Sequence, residues 1–95
     1  MAAYMLAQLD IHDLEKFQRY RDKVSALVEQ FGGRYLVRGG EIMPLEGELK
    51  APRLVIIEFA DKGAAERWYH SPEYQEILPL RLDAASGSAV IVEGL

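Results

Sequence analysis

The sequence predicts a single α+β domain whose elements follow the order β-α-β-β-α-β. Three observations lead to this prediction. An amphipathic pattern with three- and four-residue spacing lies between two strand-like stretches near the N-terminus. The run Leu-Val-Ile-Ile-Glu-Phe at 54–59 has the β-branched, apolar composition of a buried strand. A Ser-Pro helix start and a final apolar strand complete the order.

The first half of the chain predicts strand, helix and strand. Residues 3–11 alternate in polarity toward their end, as a strand does. Asp13 is a candidate N-cap for a helix that a Gly-Gly pair at 32–33 should end. The buried face of this helix is predicted from the stripe Leu14, Phe17, Arg21, Val24, Leu27, Val28 and Phe31. Residues 34–38 predict a short strand, closed by the Gly-Gly pair at 39–40.

Two further strands are predicted at 54–59 and 88–93. Residues 41–52 contain proline, glycine and charged residues, so they predict an exposed connection in which 41–45 is a candidate short strand.

The second helical region is predicted in two parts. Asp61 is a candidate N-cap for a helix through Tyr69. Ser71 and Pro72 restart a helix, with serine as N-cap and proline at the first helical position. Pro79 should stop or kink this helix, because proline lacks the N–H of an interior hydrogen bond.

The predicted order is the ferredoxin-like arrangement, an antiparallel sheet with both helices on one face. Alternation assigns a largely apolar set to the helix-covered face, namely Met5, Ala7, Leu9, Tyr35, Val37, Val55, Ile57, Phe59, Val90 and Val92. The opposite face is also apolar at its centre, through Leu6, Leu36, Leu54, Ile56 and Ile91, and it carries Arg38 and Glu58. Soluble monomers avoid such exposed patches, so we expect a homodimer through the open sheet face.

Composition narrows the function classes. The 95 residues form one domain, 1–95, and carry a net charge of −4. No basic patch is visible, so neither a nucleic-acid nor a membrane partner is expected. There is no cysteine, so disulfides and thiolate chemistry are excluded. The N-terminal residues do not have the pattern of a signal peptide, and the expected location is cytoplasmic.

The aromatic stretch at 68–75 is the best candidate for a site wall. Trp68 and Tyr74 could line a pocket for a planar ligand, or they could be core residues. Tyr35 is equally open, since its phenol could reach a ligand or a backbone carbonyl. On the open face, which a second subunit is expected to cover, Arg38 could bind a carboxylate or enolate with Glu58 as base. The alternative is a structural ion pair across adjacent strands.

His70 and Ser71 are adjacent but do not form a nucleophile–base signature, because no Gly-x-Ser-x-Gly elbow accompanies them. Ser71 is explained as a helix cap. His70 could be a general base or a histidine at a helix end. Glu66 and His70 have helical i, i+4 spacing, but two ligands do not make a metal site, and neither a metal nor a cofactor is predicted.

The chain resembles the bacterial domain-of-unknown-function family 1330. The resemblance rests on Arg-Tyr-Leu-Val-Arg-Gly-Gly at 34–40, the strand at 53–59, Ala65, Trp68-Tyr69, Ser-Pro-Glu-Tyr-Gln at 71–75 and Arg81. It implies a ferredoxin-like fold and a dimer of the dimeric α/β-barrel superfamily, which includes cofactor-independent monooxygenases and isomerases. His70 and Pro79 depart from the family pattern.

Two functional interpretations follow. In the first, the protein binds a small organic metabolite in a pocket between sheet and helices, either as a binding protein or as an enzyme that needs no cofactor. In the second, it is a structural dimer module. A cavity that holds Arg38 and Glu58 within reach of one ligand would favour the first interpretation.

Overall fold

The computed structural model describes residues 1–95 and contains four strands and three helices. Their bounds are β1 (Ala3–Ile11), α1 (Leu14–Gln30), β2 (Arg34–Arg38), β3 (Arg53–Phe59), α2 (Lys62–His70), α3 (Pro72–Ala84) and β4 (Ala85–Glu93). The predicted β-α-β-β-α-β order is confirmed, with the second helical region divided into α2 and α3. All strand pairs are antiparallel, in the spatial order β2-β3-β1-β4, which is the ferredoxin-like topology.

The helix boundaries follow the predicted caps. The backbone N–H of Lys16 donates to Asp13 at 3.1 Å, and that of Ala64 donates to Asp61 at 2.7 Å. Each aspartate therefore satisfies a helical donor that has no partner within its helix. At the end of α1, Gly32 has a φ of +80°, a conformation that glycine adopts without a steric penalty.

Two local predictions are wrong, and a third is wrong in part. Pro79 does not stop α3, which continues to Ala84, whereas a kink at Pro79 stays a prediction. The carbonyl of Gln75 loses its helical donor because Pro79 has no N–H. Gln75 and Pro79 are both exposed, so water can reach this carbonyl. Residues 41–45 form no strand, and β4 begins at Ala85, directly after α3.

The helix layer covers one face of the sheet. Phe17, Tyr20, Val24 and Val28 are the buried residues of α1, whereas Leu14 is 60% exposed. The predicted stripe was therefore right at its centre, but it included Leu14 and missed Tyr20. The largest fully buried side chains are Trp68, Tyr74, Phe59, Ile57 and Val28.

A β-bulge in β2 changes which side chains reach each face. Tyr35 is paired with Ile57, but Val37 is paired with Ile56 and Arg38 with Val55. Leu36 is thus the extra residue. Directly paired residues share a face, so Val37 points to the open face and Arg38 to the helix-covered face. The predicted placement of Arg38 on the open face is wrong, because simple alternation does not hold through a bulge.

The last strand is also one residue out of the predicted alternation. Val90 pairs with Leu6 and Val92 with Tyr4, so both valines belong to the open face, whereas Ile91 pairs with Met5 on the helix side. The open face nevertheless remains apolar at its centre. We call this surface the open sheet face and define it by Leu6, Val37, Leu54, Ile56, Val90 and Val92. None of the three helices has the length and apolar composition needed to cross a bilayer.

Candidate functional site

A cleft between the helix layer and the sheet concentrates the charged residues of the interior. Its apolar lining is Met5, Ala7, Leu9, Phe17, Val24, Val55 and Ile57. Its polar lining is Tyr20, Tyr35, Arg21, Arg38, Arg53 and Arg81. We call this site the arginine cleft. Its enclosed volume is about 30 Å³, and its empty space is about 410 Å³ when the open mouth is included.

The bulge in β2 brings Arg38 into the cleft. The Nη2 atom of Arg38 donates a hydrogen bond to the Ser25 hydroxyl on α1 at 2.8 Å. Its guanidinium carbon lies 4.6 Å from the centre of the Tyr35 ring, within the range of a cation–π interaction. The side chain therefore connects the sheet edge to the first helix across the mouth of the cleft.

Arg53 enters from the neighbouring strand. Its guanidinium carbon lies 5.5 Å from the centre of the Phe17 ring. Gly39, at a φ of +74°, lies so close to this guanidinium that a side chain there would force the Arg53 side chain to move. Burial, followed by the positive charges of Arg21 and Arg38, lowers the pKa of Arg53. The cleft thus contains cations that repel one another.

No carboxylate neutralises these four arginines. The ion pairs of the molecule join other residues, such as Arg34 with Glu58 at 2.7 Å and Arg19 with Glu15 at 3.2 Å. Arg81 is only 8% exposed. The Nε atoms of three cleft arginines are buried without a hydrogen-bond partner, those of Arg21, Arg53 and Arg81. Buried charges are normally paired, so the unpaired guanidinium groups of the cleft could hold an anion.

Two tyrosines form a buried hydroxyl pair at one side of the cleft. The Tyr20 and Tyr74 oxygens lie 2.8 Å apart, and Tyr20 lines the cleft. Burial raises the pKa of both phenols, with the Tyr20–Tyr74 interaction adding to this rise at Tyr20. Burial also raises the pKa of Tyr35. These phenols therefore stay protonated at neutral pH, and one hydroxyl of the Tyr20–Tyr74 pair donates to the other.

The raised phenol pKa values predict a loss of stability in alkali. Above pH ~10, unfolded tyrosines release protons that the folded chain retains, so the folded state binds more protons. The free energy of unfolding should then fall with rising pH, by about 1.4 kcal/mol per pH unit from Tyr20. Urea unfolding between pH 8 and pH 11 measures this slope. Tyr20→Phe should have a shallower slope above pH ~10, and equal slopes for the two proteins would contradict the prediction.

The cleft brings together only part of the predicted site. Tyr35 and Arg38 line it, and Tyr74 lies behind Tyr20. Glu58 is on the other side of the sheet, paired with Arg34. The prediction that Arg38 and Glu58 share a face is therefore wrong. Because they lie on opposite faces of the sheet, they form neither an acid–base pair nor a cross-strand ion pair.

The remaining candidates lie outside the cleft. Trp68 is fully buried and packs on Tyr74 with ring centres 4.3 Å apart, which makes it a core residue. Ser71 is the N-cap of α3, with its hydroxyl accepting from the Tyr74 N–H at 3.1 Å. His70 is an exposed residue at the end of α2 and lies against the Tyr69 ring.

Sequence reasoning missed four residues as site members, namely Tyr20, Arg21, Arg53 and Arg81. One signal was present. Arg21 lies in the apolar stripe of α1, and an arginine at a buried helical position needs an anionic or polar partner. Arg53 and Arg81 give no such signal, because they lie far apart in sequence and line one cleft only after α3 has packed against α1. No group of three or more His, Cys, Asp or Glu residues is arranged to hold a metal ion.

Comparison with known proteins identifies the family. The model of the domain of unknown function (DUF1330) matches residues 2–95. The chain belongs to the DUF1330 family. The resemblance that the sequence indicated is thereby confirmed over almost the whole chain. A comparison of this DUF1330 chain with curated proteins finds no match.

Solved structures share the fold of this DUF1330 chain. A protein of unknown function from Rhodopseudomonas palustris has a TM-score of 0.78 and 18% identity, covering 99% of this chain and 82% of that one. A dimeric ferredoxin-like protein from Jannaschia has a TM-score of 0.70 and 14% identity, covering 100% and 99%. SnoaB, a cofactor-independent oxygenase from Streptomyces nogalater, has a TM-score of 0.64 and 10% identity, covering 99% and 93%. Identities this low establish the fold alone.

Proposed function

We propose that this DUF1330 protein binds a small organic anion in the arginine cleft. The observation that carries the proposal is the set of four cleft arginines, none of which is paired with a carboxylate. Guanidinium groups bind carboxylates through paired, charge-assisted hydrogen bonds. The apolar lining would contact the hydrocarbon part of the ligand, as in most small-molecule sites.

Binding would require the arginines at the mouth to move. The enclosed volume of about 30 Å³ holds little more than water. Arg38 is exposed, and Arg21 and Arg53 are half-buried, so their long side chains have room to turn outward. A ligand would then occupy the space that these side chains now fill, with its anionic part held by the displaced guanidinium groups.

A catalytic role is supported less well. The Tyr20 hydroxyl and Arg81 could stabilise an enolate oxygen, which is the charge that isomerases and cofactor-independent oxygenases must stabilise. The lining contains no His, Asp or Glu that could remove a proton. The cleft therefore supports ligand binding better than enzymatic turnover.

The binding proposal is tested by thermal melting with sodium benzoate, and with benzyl alcohol as the uncharged analogue, at constant ionic strength. Benzoate should raise the melting temperature, and benzyl alcohol should have a smaller effect. Arg53→Gln should reduce the benzoate shift, whereas Arg19→Gln, in an exposed ion pair outside the cleft, should leave it unchanged. Equal shifts for the two compounds, or equal loss in the two variants, would contradict the proposal.

We also propose that the protein forms a homodimer through the open sheet face. The support is the apolar character of that surface, together with the similarity to a protein described as dimeric. Val90 and Val92 are 52% and 49% exposed in the single chain. Native mass spectrometry of freshly purified, undialysed protein tests both proposals at once, since a dimer with a reproducible added mass would report assembly and ligand together.

A further inference from the structure

The cations of the cleft fall into two groups. Arg38 and Arg53 come from adjacent strands, and Arg21 comes from the facing helix α1. The positive charges of Arg21 and Arg38 both lower the pKa of Arg53, so both lie within electrostatic range of it. Arg81 comes from α3, and its positive charge works against the burial-induced rise in the pKa of Tyr20 and Tyr74. We call Arg21, Arg38 and Arg53 the strand-side cations. We call Arg81 and the hydroxyls of Tyr20 and Tyr74 the helix-side donors.

Two protons of the helix-side donors have no hydrogen-bond acceptor. Two hydroxyls that share one hydrogen bond use one proton, so the Tyr20–Tyr74 pair has one O–H proton left over. No carboxylate or carbonyl accepts a hydrogen bond from either hydroxyl. Arg81 is more than nine-tenths buried, and its Nε–H is also without an acceptor. A carboxylate could accept from Arg81 and from Tyr20 together.

The strand-side cations need a counter-charge of their own. Arg21 and Arg53 each have a buried Nε without a partner, and Arg38 is held by Ser25, a neutral group. A single carboxylate on the helix side would leave three mutually repelling charges uncompensated. Apart from the arginines and tyrosines the lining is apolar, so the anionic groups of a ligand would be carried on a hydrocarbon body.

From this arrangement we infer that the ligand is an organic dianion, with two separate carboxylate-type groups on one apolar body. One group meets Arg81 and the Tyr20 hydroxyl, and the other meets the strand-side cations. This inference rests on the proposed binding function and specifies its ligand class.

Calorimetric titration at constant ionic strength tests it with five probes: benzoate, the 1,2-, 1,3- and 1,4-benzenedicarboxylates, and inorganic phosphate. We expect at least one dicarboxylate to bind about tenfold or more tightly than benzoate, since a charge-assisted hydrogen bond contributes at least the equivalent of a tenfold change. Phosphate, which carries its charge on one group, should bind more weakly than that dicarboxylate.

Variants at the two ends sharpen the test. Arg53→Gln on the strand side and Arg81→Gln on the helix side should each remove the dicarboxylate advantage over benzoate. Arg81 is buried, so Arg81→Lys serves as a second helix-side variant, and circular dichroism establishes that each variant is folded. Arg19→Gln should keep the advantage.

The outcomes separate the two proposals. Benzoate binding with no dicarboxylate advantage would overturn the dianion inference and leave the binding proposal in place. Phosphate binding as tightly as the best dicarboxylate would overturn it too, because one anionic group would then suffice. If no probe binds, the binding proposal fails and the inference fails with it.

Discussion

Replacing Trp68 by alanine should lower the free energy of unfolding by roughly 3–5 kcal/mol, the range for a buried aromatic residue. Trp68 is fully buried, and its ring lies 4.3 Å from the Tyr74 ring centre and 5.4 Å from that of Phe59. The alanine would leave a cavity beneath α2 and α3 that rigid neighbours can only partly fill. A domain of this size has a total stability of about 5–15 kcal/mol, so much of it would be lost.

Urea unfolding followed by far-ultraviolet circular dichroism measures this change. Leu82→Ala is the matched control, because Leu82 is also on the second helical region but is 60% exposed, and it should change stability little. Trp68→Phe should be milder than Trp68→Ala, since it keeps most of the ring volume and removes an indole N–H that has no partner. A loss below about 1 kcal/mol for Trp68→Ala would contradict the assignment to the core.

Replacing Ile56 by aspartate should convert the proposed homodimer to monomers. Ile56 lies at the centre of the open sheet face, paired with Leu6 on one side and Val37 on the other. A partner packed there would bury the new carboxylate without a counter-charge, which costs several kcal/mol. Ile56 is half-exposed in the single chain, so the monomer should still fold.

Sedimentation velocity measures the assembly, and circular dichroism reports the fold of the variant. Leu82→Asp is the control, since it places the same charge on an exposed apolar residue of the helix layer, and it should sediment like the wild-type protein. A wild-type sedimentation coefficient for Ile56→Asp in a folded dimer would contradict dimerisation through this face. Monomeric wild-type protein would contradict dimerisation altogether.

The sequence predicted the fold well because its main signals are local. The caps at Asp13, Asp61 and Ser71 lie within three residues of the backbone donors that they satisfy, so their roles are visible in the chain itself. The element order follows from such signals and from hydrophobic periodicity. Pro79 was misjudged because its effect depends on exposure, which only the packed structure determines.

The candidate site was less predictable because it depends on register and packing. Alternation assigned Arg38 to the wrong face, since the extra residue in β2 has no unambiguous sequence mark. Arg53 and Arg81 are far apart in sequence and line the same cleft only once α3 has packed against α1. Composition alone made the aromatic cluster around Trp68 a site candidate, yet aromatic residues also dominate the cores of small domains.

The bulge at Leu36 gives β2 one residue more than the stretch of β3 with which it pairs. Deleting Leu36 would leave Tyr35, Val37 and Arg38 in simple alternation on the faces that they occupy now. If all five residues of β2 instead paired without the bulge, Arg38 would move to the open face and Val37 to the helix side. Ligand recognition and self-association are therefore linked through the register of one edge strand, because the same slip would take a cation out of the cleft and place it in the proposed dimer contact.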